Sequence, residues 1–259
     1  AQARAAGSTA GVAAFSSAPP DIMLESEIVI VAVRDAAIGE VAQMLAGTGM
    51  LGKRHVLLQC AGVQSAQESL GGITGTVRGI GTLHPLSAIA DGKASMRSLK
   101  GTVFGVEGDD IGRASAGKLV AAMGGVVLAL DSSQMGAYHA AAAVASNYVV
   151  AAIDAAAAIL ANAGVPADQA AQALVPLAEG ALRNITARGT TAGLTGPVRR
   201  GDAATIQRHL DALRARPELA EIYRALARRA VEIAARIDGP DAPDRAGLDA
   251  IRAVLAERT

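Results

Sequence analysis

The sequence has no tryptophan, and only two phenylalanines and three tyrosines among its 259 residues. It is nevertheless 51% apolar. Its core must therefore come mostly from alanine and valine, whose small side chains let helix backbones approach one another. The single cysteine, Cys60, excludes an internal disulfide and any multi-cysteine metal centre. It is compatible with a reducing, cytoplasmic setting. The 24 basic and 24 acidic residues cancel, which leaves no basic excess to follow a phosphate backbone, so nucleic acid is not an expected partner. The opening "AQARAAGSTAG" lacks the apolar stretch of a signal peptide. Also missing is the strand, G-x-G-x-x-G and helix with which dinucleotide-binding domains usually open. "GSTAG" (7–11) follows no strand. The expectation is a chain that begins partway through such a domain, without the first strand–helix–strand unit.

Five short apolar runs follow: "EIVIVAV" (27–33), "HVLLQC" (55–60), "VRGIGTLH" (77–84), "GTVFGVEG" (101–108) and "GGVVLAL" (124–130). Continuous β-branched runs mark strands covered on both faces. Helical patterns at 35–49 and 110–125 lie between them. This alternation predicts a mostly parallel sheet with helical crossovers over residues 1–130. From Asp131 the strand signal stops. "DSSQM" offers N-cap chemistry, and one helix is expected from there to about Ala163, a rod of about 40 Å. Further helices are expected at 167–189, kinked at Pro176, and at 202–215, 217–237 and 244–258. The fold class is thus an α/β parallel-sheet domain followed by an all-α domain over 131–259. The apolar stretch 137–163 is long enough to cross a bilayer. It carries His139, Asn147 and Asp154, however, so a buried central helix is the better expectation and a membrane is not.

In an open parallel sheet, ligands bind beyond the carboxyl ends of the strands. The first run ends at Val33-Arg34-Asp35, the second at Cys60-Ala61-Gly62 and the third at His84-Pro85. The helical half starts just after the last strand, so its first helix can lean over that edge. His139 and Ser146 lie within about 20° of each other on an ideal helix, with Asn147 on the neighbouring flank. The polar set in "YHAAAAVASN" (138–147) would then point into a cleft between the halves.

"CAG", "GTLHPL", "YHAAAAVASN", "LTGPVRRGD" and "TIQRHL", in this order, resemble the bacterial proteins that join a Rossmann-like domain to a C-terminal domain called DUF2520. The resemblance runs from about Gly11 to about Ala235. It extends to the wider group of ketopantoate reductases, pyrroline-5-carboxylate reductases and 6-phosphogluconate dehydrogenase-like enzymes. It implies a Rossmann-like domain binding NADP or NAD, an all-helical domain of the 6-phosphogluconate dehydrogenase C-terminal type, a homodimer through that domain, and a 2-oxo acid such as ketopantoate as a first substrate class. In dehydrogenases of this group, a lysine four residues before an asparagine does the chemistry. If Asn147 is that asparagine, the lysine position is Ala143, and His139, one turn earlier, is the nearest replacement.

Each candidate has a plain alternative. His139 or His84 either gives a proton to a substrate oxygen or imine nitrogen, or bonds a backbone carbonyl or stiffens the loop at Pro85. Ser146 and Asn147 either bind substrate or tie helix to helix. Thr195 and Arg200, in "LTGPVRRGD", either hold a substrate carboxylate or make a surface ion pair. Asp35 either positions a nicotinamide ribose or, more simply, caps a helix. A zinc site from Cys60, His84 and His139 lacks ligand spacing on any one element, so no metal is expected. Two functions remain: an NAD(P)-dependent oxidoreductase for a small carbonyl or imine, with His139, His84 and Asn147 as catalytic candidates, or a dinucleotide-binding regulatory or structural protein without turnover.

Overall fold

The computed structural model describes residues 21–88 and 99–257. "GSTAG" and the upstream part of the resemblance lie outside the described residues. By its contacts the chain divides into two compact units, Ala1–Asn147 and Tyr148–Thr259. The boundary expected at 131 falls one helix earlier. The helix after it stays with the sheet because its Met135 and Tyr138 are buried, only 1% and 8% exposed.

In the first unit each apolar run becomes a strand: β1 Ile28–Val31, β2 Val56–Gln59, β3 Gly79–Pro85, β4 Val103–Gly108 and β5 Val126–Ala129. The strands lie in chain order and are parallel at three of four junctions. The exception is β3 with β4, which run antiparallel, His84 facing Gly105 and Pro85 facing Phe104. None of the helical periods read in the sequence lies between those two runs, and an antiparallel neighbour needs no crossover helix.

Side chains alternate across the sheet as strand geometry requires. Leu57 and Ile80 meet Ile38, Ala42 and Leu45 of α1 (Ile38–Gly47) and Leu70 of α2 (Ala66–Leu70) on one face. Val56, Leu58, Phe104 and Val106 meet Ala116 and Val120 of α3 (Asp110–Ala122) on the other. The edge strand β5 departs from this: Val126, Val127 and Leu128 are all exposed. α3 sits on bare strand backbone. A Cβ at Gly112 would fall 1.9 Å from the carbonyl oxygen of Ile80.

A row of buried polar side chains crosses the sheet at one level. Gln59 pairs with Thr82, and Thr82 with Glu107, in strand register. Gln59 Nε2 donates to Thr82 Oγ1 at 2.7 Å, and Thr82 Oγ1 donates to Glu107 Oε2 at 3.1 Å. Glu107 Oε2 also accepts from the amide of Ala66, at 2.8 Å, where α2 begins. The Gln59 amide then turns onto the loop after β2, donating to the carbonyls of Ala61 and Gln64 and accepting from the Ala61 N–H. Residues from three strands thereby fix the loop that carries Gly62.

The helix expected from 131 to 163 is two: α4 (Met135–Ala145) and α5 (Asn147–Asn162), separated at Ser146, whose φ of −122° and ψ of −76° are not helical. It is also not the buried central helix expected. The stretch Ser132–Asn162 is long and apolar enough to cross a membrane, but only 11% of its most apolar window is buried. The second unit continues with α6 (Ala167–Gly193), α7 (Gly196–Arg199), α8 (Ala203–Ala212), α9 (Pro217–Ala234) and α10 (Arg245–Ala256). α6 contains Pro176, but its backbone leaves helical values at Gly189, φ 75°. Asp202 caps α8 by accepting from the Thr205 amide at 3.0 Å. Ile206, Val231, Leu248 and Ile251 form the core where α8, α9 and α10 meet.

Two stability predictions follow from these contacts. Gly112→Ala drives a methyl group into strand backbone, and denaturant unfolding will show a loss of about 3 kcal/mol. Glu107→Ala leaves the Thr82 hydroxyl and the Ala66 amide without their acceptor, and the same measurement will show a loss of about 1–3 kcal/mol.

Candidate active site

Because β1, β2 and β3 are parallel, their carboxyl ends share one edge of the sheet. β1 leads to Val33, Arg34 and Asp35, all exposed. β2 leads to half-buried Cys60 and to Ala61 and Gly62, which are buried. β3 brings half-buried His84 to the same edge. The reversal at β4 changes how the next helix arrives. β5 runs parallel to β4, so it ends away from this edge, and α4 cannot simply lean over it from the last strand. It returns toward the edge instead: Tyr138 reaches the level of Gly105, and the residues beyond it reach the end of β3.

That return brings the two candidate histidines together. The rings of His84 and His139 have centroids 6.1 Å apart at 69°. Both press on Gly62: a Cβ there would lie 2.8 Å from His84 Nε2 and 2.7 Å from His139 Cδ2. Tyr138 stands on the other side of His84, its hydroxyl 2.7 Å from Nδ1 and 3.3 Å from the His84 carbonyl oxygen. Gly105 makes room for the phenol, since a Cβ there would fall 2.5 Å from the tyrosine oxygen. Burial pushes the His84 pKa below the ordinary histidine value, His139 pushes it the same way, and Asp35 pulls it partly back. Burial raises the Tyr138 phenol above its ordinary value against an opposing hydrogen bond from the Gly105 backbone. Burial also raises the Cys60 thiol, the opposite of what a nucleophilic thiolate needs.

A cavity of about 430 Å³ opens beside this cluster, between His84–Ala88 and a wall formed by His139, Ala142, Ala143, Ala145, Ser146 and Asn147. His84, His139, Ser146 and Asn147 thus border one hollow, although the helix break at Ser146 removes the ideal-helix geometry that linked them. Ala143 lines it without a charge. Asp35 does not cap the helix that follows it, since neither that helix nor the preceding 3-10 turn has a side-chain cap bond. The simpler expectation fails there; the charge of Asp35 is felt at His84, whose pKa it pulls partly back. Among the described residues no cluster of three or more His, Cys, Asp or Glu side chains could hold a metal.

Thr195 and Arg200 belong to the second unit. Thr195 precedes α7, exposed and without a side-chain cap bond, and Arg200 follows α7, exposed. Arg200 helps, behind the bonds from Thr205, to hold the Asp202 carboxyl below its usual range. The adjacent Arg199 is distinguished by a buried Nη1 that has no hydrogen-bond partner among the described residues. A wider recess of about 680 Å³ lies beside Glu221, Arg224 and Arg228, but no histidine, tyrosine or cysteine lines it. Sequence reasoning missed Tyr138 as part of the site. It also missed the row Gln59–Thr82–Glu107, whose only sequence signal is one polar residue in each of three neighbouring apolar runs.

Residues 102–230 match the family model described as a domain of unknown function, DUF2520. No curated protein matches the chain. Among solved structures, protein TM1727 from Thermotoga maritima is 26% identical, with a TM-score of 0.63 over 80% of this chain and 79% of that one. The Bacteroides fragilis protein BF3122, provisionally named an NADP oxidoreductase, is 23% identical, with a TM-score of 0.61 over 81% and 78%. Plasmodium falciparum pyrroline carboxylate reductase, solved with NADP bound, is 13% identical, with a TM-score of 0.54 over 91% and 80%. The sheet, the helices that cover it and the family match over residues 102–230 agree with a Rossmann-like fold that includes a DUF2520 region.

Proposed function

We propose that the protein is an NADP-dependent oxidoreductase that reduces a small carbonyl or imine, with His84 or His139 giving the proton. The observation that carries this reading is the closure of two imidazoles on Gly62, at the carboxyl end of β2 and beside a cavity. The Plasmodium relative binds NADP with the same fold, which supports the cofactor. The residues present fit such a group. The ends of β1 and β2 offer the exposed residues Val33–Asp35 and a side-chain-free position at Gly62, where any Cβ would displace both imidazoles. Cys60, Ala61 and Gly62 with Val33, Arg34 and Asp35 would hold the nicotinamide end, and the bound cofactor supplies the hydride.

Hydride addition builds negative charge on a carbonyl oxygen, or basicity on an imine nitrogen. A positioned donor lowers that barrier. His84 is suited to this: its environment favours the neutral ring, and a neutral imidazole still donates one N–H. Ser146 and Asn147 add hydrogen-bonding groups along the cavity wall. A 2-oxo acid such as ketopantoate remains a candidate substrate.

Mixing the protein with NADPH and a panel of 2-oxo acids and cyclic imines, and following nicotinamide absorbance, tests the reading. Substrate-dependent oxidation is expected, with kcat/KM reduced about 10²–10⁴-fold in the His variant, His84→Ala or His139→Ala, that removes the donor. Gly62→Ala, which forces both rings aside, is expected to lower kcat more than it weakens NADPH binding in a fluorescence titration. Tight NADPH binding with no turnover on any panel member would instead favour a regulatory or structural dinucleotide-binding protein. We further propose a homodimer, on the exposed Tyr148, Val150 and Leu177 of the second unit. Sedimentation equilibrium should give twice the chain mass, and Val150→Glu should return it to one.

A further inference from the structure

We propose that Tyr138 is a positioning residue: its hydroxyl donates to Nδ1 of His84 and so fixes the ring with its single proton on Nε2, the nitrogen that faces Gly62. The catalytic value of this arrangement rests on the reductase reading, but the arrangement itself does not.

The phenol has one proton and two acceptors within reach, His84 Nδ1 at 2.7 Å and the His84 carbonyl oxygen at 3.3 Å. The shorter contact has the length of a good hydrogen bond, and the longer lies beyond the usual range for an O–H donor. The carbonyl also has another partner. The Leu86 amide donates to Val103 at 2.8 Å, and His84 faces Gly105 two residues back along the same antiparallel ladder. Alternation therefore makes His84–Gly105 a hydrogen-bonded pair, with the Gly105 N–H shared between that carbonyl and the phenol oxygen. Among the described residues nothing serves Nδ1 in the same way except the phenol. Burial keeps the proton on Tyr138, and burial together with His139 disfavours a second proton on His84. A neutral ring and a neutral phenol share two protons, and only the Nε2–H form uses the short contact as O–H···N.

Geometry makes the consequence specific. Tyr138 packs edge-on to the imidazole, centroids 5.5 Å apart at 85°, and its oxygen is seated over Gly105, where a Cβ would collide with it. The ring can neither flip nor slide without losing that bond. Nε2–H is left pointing at the Gly62 backbone beside His139, the place where the reading above requires a donor. When His84 does take a second proton, the phenol can turn to the carbonyl, so Tyr138 accommodates both charge states of one imidazole.

Long-range proton–nitrogen NMR of the ¹⁵N-histidine-labelled protein reads the tautomer directly, with His84 assigned from a His84→Gln sample. The wild-type spectrum is expected to show Nε2 protonated and Nδ1 not, with a titration midpoint below the ordinary histidine value. Tyr138→Phe keeps the ring and removes the hydroxyl. Its His84 signals should move toward a mixture of tautomers, and any kcat measured should fall roughly a hundredfold with NADPH affinity unchanged. An Nδ1–H tautomer in the wild-type protein, or an unchanged tautomer in Tyr138→Phe, overturns the proposal. The wild-type spectrum, once assigned, decides without any substrate and without the Tyr138→Phe variant folding, so a failed reductase assay leaves this test intact.

Discussion

A missing side chain organises the first unit. Gly62 lets two imidazoles approach the end of β2 more closely than any Cβ would permit, and everything around it keeps that contact in place. From below, Gln59 holds the loop through its own amide, and Gln59 is held in turn by Thr82 and Glu107. From above, α4 delivers His139. Such a contact depends on the loop staying in place, since the rings pack where a Cβ would otherwise stand. The buried polar row supplies that support, since a half-satisfied network in the interior costs more than an apolar one and each member constrains the next.

Much of this architecture was legible in the residues. All five apolar runs form strands, since a β-branched run of that length, bounded by glycine and polar residues, has few other stable fates. His84 and His139, read as candidates from a strand end and a helix face, do meet. What escaped was direction. Apolar periodicity is the same whichever way a strand runs, so the reversal at β4 is invisible in "GTVFGVEG", and with it the path α4 must take. The break at Ser146 escaped for a similar reason, as alanine on either side predicts continuation. Asp35 shows the limit of local rules: a residue with good capping chemistry makes no side-chain cap bond in the turn that it opens.

The wrong expectation of burial has a physical lesson as well. "AYHAAAAVASNYVVAAIDAAAAILANA" looks like the centre of a core because alanine and valine dominate it. Alanine buries little area, about one methyl group, and it is tolerated in water more easily than its apolar label suggests. A helix rich in alanine can therefore lie largely exposed in a single chain while its few larger residues, Val144, Tyr148 and Val150, mark where apolar area is concentrated. Hydropathy averaged over the stretch cannot separate the two cases, and the positions of the valines and the tyrosine carry more information than the mean.

The chemistry at Gly62 also bears on the residue that is absent. A lysine at position 143 would place a strongly hydrated cation in the hollow that Ala143 lines. Such a group stabilises a developing alkoxide by charge, and it repels a substrate that is itself cationic, as a protonated imine is. An imidazole kept neutral by burial avoids that repulsion and still offers a donor. Asp35, which pulls the His84 equilibrium back toward the charged form, would in addition favour positive charge near the site. On the proposed reductase reading an imine substrate meets no fixed cation there, because no arginine or lysine among the described residues lines the cavity that the two histidines border.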